Sequence, residues 1–198
     1  MFGQRTLPCA VPYLRVHSFV PLSRANGPGR RAVIWVQGCS LDCPGCFNPE
    51  THDFQGGESI PVDALFRRVV GLGDSVEGVT VSGGEPLQQS QAIGTFLYRV
   101  RVKTSLSVVL FSGFTWDEIR LMPRLNSDII SHVDVLIAGR YKETRRLAQD
   151  LRGSVNKTVH FISDRYHPED FENIAAGEVI IDRCGEIVCS GIDPLRWK

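Results

Sequence analysis

Short apolar runs alternate with amphipathic segments along most of the chain, and this alternation restricts the fold more than any other feature. Apolar runs typical of buried strands lie at residues 32–37, 78–81, 106–111, 133–138 and 158–162. Apolar residues at helical spacing follow the first two runs, at 62–70 and 92–100. Thr115 and Glu118 form a capping-box pattern that predicts a helix after the third run. Strands that alternate with helices form parallel βαβ units, so the sequence predicts an α/β fold.

The two ends of the chain depart from this pattern. Prolines and the run Asn26-Gly27-Pro28-Gly29 predict that the first 31 residues are largely irregular. Near the other end, apolar segments on both sides of Cys184-Gly185 predict a β-hairpin. With 198 residues and 42% hydrophobic content, the chain is long enough for one well-filled core. We therefore expect a single domain over residues 1–198, with a core at about 14–163, an N-terminal arm at 1–13 and a C-terminal extension at 164–198.

Composition excludes several classes of partner. Lys and Arg together number 22, as do Asp and Glu, so the net charge is zero and nothing indicates binding to nucleic acid or to a membrane surface. No segment approaches the roughly 20 apolar residues of a membrane span. The N-terminal arm lacks the apolar run of a secretory signal, so we expect a cytoplasmic protein.

Three of the six cysteines lie within eight residues, directly after the first apolar run. Such crowding in a reducing compartment is typical of metal ligands rather than of disulfides. Cys39, Cys43 and Cys46 leave one iron of a 4Fe–4S cubane open for another ligand, and Pro44-Gly45 favours a tight turn between them. A structural zinc ion is the alternative; it requires a fourth ligand, for which His52 is the nearest candidate.

A glycine-rich segment, Ser82-Gly83-Gly84-Glu85-Pro86, follows the second apolar run and precedes a helical pattern. Its glycines either allow close approach of a ligand to the backbone or simply form a strand-to-helix turn. Ser112-Gly113 and Gly139-Arg140 follow the third and fourth runs. Because the carboxyl ends of parallel strands form one rim, we expect these groups and the cysteines to lie together. Trp35 and Phe111, inside the predicted strands, are expected in the core.

Together, the Cys-x3-Cys-x2-Cys loop and the Gly-Gly-Glu-Pro turn resemble the radical S-adenosylmethionine (SAM) superfamily. The likeness is closer to the activating enzymes of glycyl-radical proteins, above all the anaerobic ribonucleotide reductase activase. It extends over about residues 14–163. Gly45 stands where many superfamily members carry an aromatic residue, a shift that the activase-like branch shares. The segments that carry the likeness are 26–30, 38–49, 112–115, 135–141 and 152–156.

The resemblance implies an incomplete (βα)6 barrel of mostly parallel strands that is open at the side. It implies that Cys39, Cys43 and Cys46 hold three irons of a 4Fe–4S cluster, while the amino and carboxylate groups of SAM bind the fourth. Three groups of residues would contact SAM: Gly45, Cys46 and Phe47 at the adenine, Gly83, Gly84 and Glu85 at the methionine amino group, and Ser112 at the ribose or carboxylate.

The resemblance also implies a reaction and a partner. An electron from a donor such as flavodoxin or ferredoxin reduces the cluster, SAM is cleaved to a 5′-deoxyadenosyl radical, and this radical takes hydrogen from a glycine of a glycyl-radical enzyme. Two alternatives are a radical SAM enzyme acting on a small molecule or peptide in a biosynthetic pathway, and a non-catalytic zinc module.

Two further segments each allow two interpretations. Arg140, Lys142, Arg145 and Arg146 form a basic patch that either docks an acidic partner or is a solvated loop. The segment with Cys184 and Cys189 is either a substrate-docking element or a cap over the open barrel.

Overall fold

The computed structural model describes residues 11–122, 128–181 and 184–192. Cys9 and most of the expected N-terminal arm lie outside these ranges. The strands are β1 (Tyr13–Ser23), β2 (Arg31–Val36), β3 (Glu58–Pro61), β4 (Gly78–Gly83), β5 (Ser107–Ser112), β6 (Val135–Ala138), β7 (Arg146–Gln149), β8 (Arg152–Ser154), β9 (Thr158–Phe161), β10 (Gly177–Ile181) and β11 (Ile187–Gly191). Three α-helices have described bounds, α1 (Val62–Val70), α2 (Ser90–Lys103) and α3 (Trp116–Leu121), and residues 128–130 are helical as well.

A seven-stranded sheet in the order β3-β1-β2-β4-β5-β6-β9 forms the centre of the molecule. Its four middle strands, β2, β4, β5 and β6, run parallel to one another. Alternate apolar residues of these strands pack on one side against α1 and α2, whose buried faces follow the periodicity seen in the sequence. Both bonds of the predicted capping box are present at the start of α3. Within the described ranges, no helix has the length and apolar character needed to cross a membrane.

The predicted α/β class with a parallel centre is confirmed, but the six-unit barrel is not. Strand β9 pairs antiparallel with β6, although the sequence pattern predicts another parallel unit. The reason lies in the connection between them, because β7 and β8 pair there as a small antiparallel ribbon and no crossover helix is present in this described segment. A parallel pair needs such a crossover, whereas an antiparallel pair does not. On the other side of the sheet, β1 pairs antiparallel with both β2 and β3.

The expectation of an irregular N-terminal stretch is wrong for residues 13–23, which form the long strand β1. Proline misleads here because it is compatible with a strand at a bulge, where a ladder hydrogen bond is already absent. Pro21 lies in such a place, since the pairing register with β2 shifts between Val20 and Ser23. The buried residues Leu14 and Val16 then fix which face of β1 meets the core.

The C-terminal extension packs onto the face of the sheet that the helices leave uncovered. Phe171 is almost fully buried in a second apolar cluster with Val109, Val135 and Ile137 of the parallel strands. The hydroxyl of Tyr166 lies 2.8 Å from Ser107 Oγ at the start of β5. The extension is therefore part of the same folded unit as the sheet.

Strands β10 and β11 pair antiparallel, and part of the turn between them lies outside the described residues. The carboxylate of Glu178 accepts hydrogen bonds from Ser23 Oγ and from the backbone N–H of Arg24. From β11, Ser190 Oγ accepts a hydrogen bond of 2.7 Å from Asn26 Nδ2. These contacts tie the pair of strands to the loop that joins β1 to β2.

Candidate functional site

The loop that follows β2 carries the three clustered thiols. Cys39, Cys43 and Cys46 are free, partly buried, and line the same cavity. Between the last two, the backbone N–H of Cys46 donates to the carbonyl of Cys43 at 3.1 Å, and Gly45 has a φ of +68°. A Pro-Gly pair with positive φ at the glycine is the turn that Pro44 and Gly45 predict. The turn brings Cys43 and Cys46 to the same side of the loop.

Backbone hydrogen bonds and one glutamine hold this loop in place. The N–H groups of Gly38 and Cys39 donate to the carbonyls of Thr51 and His52 at 2.8 and 3.1 Å. The buried side chain of Gln37 donates through Nε2 to the carbonyls of Glu50 and Asp53. The loop thus closes on itself, and its thiols are presented from a fixed frame.

Two more glutamines join the cysteine loop to the segment after β4. Gln88 accepts from the backbone N–H of Ser40 at 3.1 Å, and Gln89 donates to the carbonyl of Gln37 at 2.9 Å. Sequence reasoning missed all three glutamines, because an isolated Gln in a loop carries no recognisable spacing. Their partners include backbone atoms at least 13 residues away along the chain.

The glycine-rich turn lies directly against the cysteine loop. The N–H of Gly84 donates to the carbonyl of Val36 at 2.8 Å, and the N–H of Glu85 donates to that of Gly38 at 2.9 Å. A Cβ atom on Gly84 would overlap the backbone of Gly38, and one on Gly83 would overlap the backbone of Val36. Glycine is therefore required here by the neighbouring backbone, as the simple-turn interpretation holds. The same packing couples the turn to the residue that precedes Cys39.

The side chain of Glu85 joins the ends of β4 and β5. It is fully buried and accepts hydrogen bonds from the backbone N–H of Leu87 at 2.9 Å, from that of Gly113 at 2.6 Å, and from Ser112 Oγ at 3.0 Å. Burial raises the pKa of Glu85 to about 7 even though these three donors favour the ionised form. Ser112 Oγ also accepts from the N–H of Phe114. Both side chains that the resemblance assigns to SAM are thus engaged within the protein.

One open cavity collects most of the predicted site residues. It contains about 840 Å³ of empty space, which includes the solvent at its open mouth. Trp35 and Phe111 line it, although the sequence pattern assigns both to the core. Gly45 is outside its described wall and faces the carboxylate of Glu143 instead. The predicted residues that line the cavity are Cys39, Cys43, Cys46, Phe47, Gly83, Gly84, Glu85 and Ser112.

Aromatic residues form the wall next to Cys46. The rings of Phe47 and Tyr141 have centroids 4.3 Å apart, and a Cβ on Gly153 would lie 2.7 Å from the Phe47 ring. Gly153 therefore lets β8 pack closely against this pair. The guanidinium of Arg146 lies 5.0 Å from the centroid of Phe47.

The members of the basic patch do not share one environment. Arg140 pairs with Glu118 at 2.6 Å. This hydrogen bond lowers the pKa of Glu118 to about 2 and raises that of Arg140. Lys142, Arg145 and Arg146 are exposed. The charge available for an acidic partner is therefore smaller than the sequence indicates.

Lys157 is a cavity residue that sequence reasoning missed. It follows the last segment of the resemblance and lines the cavity with Cys43, Cys46 and Glu85. Its Nζ donates to the carbonyl of Gly139 at 2.5 Å. Burial lowers the pKa of Lys157, and the negative charges of Glu85 and the two cysteines act in the opposite direction. The only signal in the sequence was a lysine at the start of an apolar run, which is common on protein surfaces.

The thiols fit a cluster better than a single ion. Across residues 11–122, 128–181 and 184–192, no three His, Cys, Asp or Glu side chains converge as the ligands of one metal ion, although His52 also lines the cavity. A zinc ion needs four ligands around one point, whereas each thiolate of a cubane binds a different iron. Burial raises the pKa of Cys39 and Cys46, so protons must leave both thiols when iron binds.

Comparison with known proteins agrees with this arrangement. The family described as the 4Fe–4S single cluster domain matches residues 25–160, more than half of the chain, and the chain therefore belongs to that family. The anaerobic ribonucleoside-triphosphate reductase-activating protein of Salmonella typhi is 27% identical over 156 residues, covering 75% of this chain and 99% of the relative. The protein of the same name from Enterobacteria phage T4 is 28% identical over 143 residues, covering 70% and 88%.

A second kind of relative is the pyruvate formate-lyase-activating enzyme of Clostridium pasteurianum. It is 30% identical over 127 residues, which cover 61% of this chain and 53% of the relative. The predicted resemblance to radical SAM activating enzymes is confirmed by these names, and so is the predicted class, an iron–sulfur enzyme of the activating type.

Proposed function

We propose that this chain cleaves SAM at a 4Fe–4S cluster on Cys39, Cys43 and Cys46, and that the resulting radical is passed to a glycine of a partner enzyme. The observation that carries the proposal is the meeting of three free thiols and the glycine-rich turn in one open cavity, with no fourth cysteine among its described lining residues. Three thiolates leave one iron for a ligand from outside the protein. We also propose that the four parallel strands form the larger part of an incomplete (βα)6 barrel.

The protein's part in this chemistry is to hold, orient and shield. When bound, the cluster supplies the electron that breaks a carbon–sulfur bond of SAM. The backbone of Gly83, Gly84 and Glu85 would receive the methionine amino group, since the Glu85 carboxylate is already used by the protein. The backbone at Cys46 and the ring of Phe47 would meet the adenine. Ser112 would act through Glu85, whose position its hydroxyl fixes.

A glycine on a flexible protein segment suits the shape of this site. A second groove runs between β11 and residues 47–51 and shares Trp35, Phe47, Asn48 and Gly191 with the cavity. An extended segment of a partner protein bound in this groove would reach the cavity. Relatives of both kinds are named as activators of other enzymes, anaerobic ribonucleoside-triphosphate reductase or pyruvate formate-lyase. The partner we propose is of that kind, and flavodoxin or ferredoxin would supply the electron.

Isotope transfer tests the proposal. The reconstituted and reduced protein is mixed, without oxygen, with SAM and a candidate glycyl-radical enzyme whose glycine carries deuterium at Cα. An unlabelled partner should give a doublet EPR signal from a glycine radical, because one hydrogen remains on its Cα. The deuterated partner should place deuterium in the 5′-deoxyadenosine. If 5′-deoxyadenosine forms only with a small molecule present and never acquires glycine deuterium, the activating role is wrong and the biosynthetic alternative replaces it.

A further inference from the structure

Lys157 is the one lysine or arginine among the described residues that line the cavity. It shares that cavity with three thiols and the carboxyl group of Glu85, all of which carry negative charge when ionised. The ammonium group has three hydrogens to donate, and the acceptor it meets is the Gly139 carbonyl at the end of β6. Lys157 is partly buried, and a charge withdrawn from water with so few partners is costly unless another charge offsets it.

The surroundings of Lys157 show which charges offset it. Glu85, Cys43 and Cys46 all act to stabilise its positive form, against the effect of burial. Arg140, whose charge also acts on Cys43 and Glu85, is already paired with Glu118 at 2.6 Å. Lys142 is exposed, so its field is weakened by water and salt. Lys157 is therefore the cation best placed to act on charge that develops inside the cavity.

We propose that the Lys157 ammonium is a fixed counter-charge that raises the reduction potential of the cluster on Cys39, Cys43 and Cys46. The inference rests on the proposed function, because it requires that cluster. Reduction adds one electron from an external low-potential donor and no proton, so the cluster and its thiolates become more negative by one unit. A cation held nearby and partly withdrawn from water stabilises the reduced form more than the oxidised form. Lys157 is in this account a positioning residue, since it sets the electron affinity without taking part in bond cleavage.

The test is an EPR-monitored redox titration of the full-length reconstituted protein with titanium(III) citrate as reductant. Lys157→Met keeps an unbranched side chain and removes the charge, whereas Lys157→Arg keeps the charge. We expect the Met variant to be at least tenfold harder to reduce, a fall of about 59 mV for a one-electron couple. The Arg variant should stay close to wild type. Lys142→Met removes an exposed lysine from the same segment and should leave the potential unchanged.

Iron and sulfide content is measured for every variant, so that a change in potential is compared only at equal cluster loading. Lys157→Gln is the second neutral variant and replaces Lys157→Met if the latter does not load. Equal potentials for the wild type and the loaded neutral variant would overturn the inference, and so would an Arg variant as hard to reduce as the neutral one. A wild-type protein that takes up no cluster would instead contradict the proposed function, so the two failures are distinguishable.

Discussion

Each end of the parallel strands buries a charged side chain, but the two ends differ in its hydrogen-bond partners and in whether it borders a cavity. At the amino-terminal end, Arg31 is fully buried, and all three of its side-chain nitrogens donate hydrogen bonds. Its partners include Thr80 Oγ1 and the Val79 carbonyl, both at 2.7 Å, and Ser107 Oγ at 2.9 Å. The hydroxyl of Tyr166, from the C-terminal extension, completes the set at 3.4 Å. No atom of Arg31 lines either of the two cavities described above.

At the carboxyl-terminal end, the fully buried Glu85 and the partly buried Lys157 both line the open cavity. Glu85 has its donors, but burial still raises its pKa to about 7. Lys157 meets the Gly139 carbonyl and faces the cavity of the cysteines. A buried charge with a complete set of partners stabilises the fold, whereas one with an incomplete set beside a cavity is available to a ligand. The comparison therefore divides the molecule into a structural end and a reactive end, as in other parallel α/β proteins.

The largest expected effect is at the structural end. Arg31→Met should lower the free energy of unfolding by about 3–5 kcal/mol, because buried carbonyls and hydroxyls lose their donor. Urea denaturation measures this loss. Arg30→Met is the matched control; Arg30 and Glu77 form an exposed ion pair at 3.6 Å, worth at most about 1 kcal/mol. Iron bound per folded molecule should not change in either variant. A loss of iron in folded Arg31→Met protein would contradict the claim that the two ends have separate structural and reactive roles.

The next effect is the pH dependence that Glu85 gives to stability. Its pKa rises from 4.5 to about 7 on folding, so the folded state holds the proton more tightly. Its contribution is present below pH 4.5 and is lost as the pH rises through 7, by about 3 kcal/mol at ~1.4 kcal/mol per pKa unit. Urea denaturation of metal-free protein at several pH values should show this fall for wild type and not for Glu85→Gln.

Glu118 provides the control with the opposite sign. Its pKa is lowered to about 2, mainly by the hydrogen bond from Arg140, so its contribution is present above pH 4.5 and is lost as the pH falls towards 2. Glu118→Gln should therefore abolish the pH dependence between about 2 and 4.5 and leave the pH slope between 5 and 7.5 as in wild type. The same pH slope between 5 and 7.5 in Glu85→Gln and wild type would show that Glu85 does not carry the effect.

A smaller loss of stability, with a specific loss of function, is expected at the glycine-rich turn. Gly84→Ala should cost about 1–3 kcal/mol, because its Cβ overlaps the backbone of Gly38 and one of the two segments must shift. Since Gly38 precedes Cys39, iron loading and SAM binding should both fall. A Cβ on Gly94, inside α2, would meet only the Ile129 side chain, with Cγ1 at 3.1 Å, so Gly94→Ala should leave both unchanged. Full iron loading in Gly84→Ala would mean that the turn and the loop move independently.

Features that depend on local spacing were predictable from the sequence. The positions of the four parallel strands to within two residues, the capping box of α3 and the turn at Pro44-Gly45 all follow from residues close together in the chain. Eight of the nine predicted site residues line one cavity, because strand order brings their short loops to one rim.

Features that depend on distant partners were not predictable. The direction of β9 depends on the β7–β8 ribbon. Arg31 donates a hydrogen bond to Tyr166, which lies 135 residues further along the chain. Lys157 is a site residue only because Gly139 and the cysteine loop surround its ammonium. The C-terminal extension lies outside the family resemblance, yet Phe171 completes an apolar cluster on the open face of the sheet.

The central claim is that the reactive end holds a 4Fe–4S cluster on three particular cysteines, and metal analysis of single variants tests it most directly. Iron, zinc and acid-labile sulfide are measured after anaerobic reconstitution, together with the visible thiolate-to-iron absorption. Cys39→Ala, Cys43→Ala and Cys46→Ala should each lose the iron, the sulfide and the absorption, whereas Cys184→Ala and Cys189→Ala should retain all three. Stoichiometric zinc without sulfide in the wild-type protein, or full cluster content in any of the first three variants, would contradict the account.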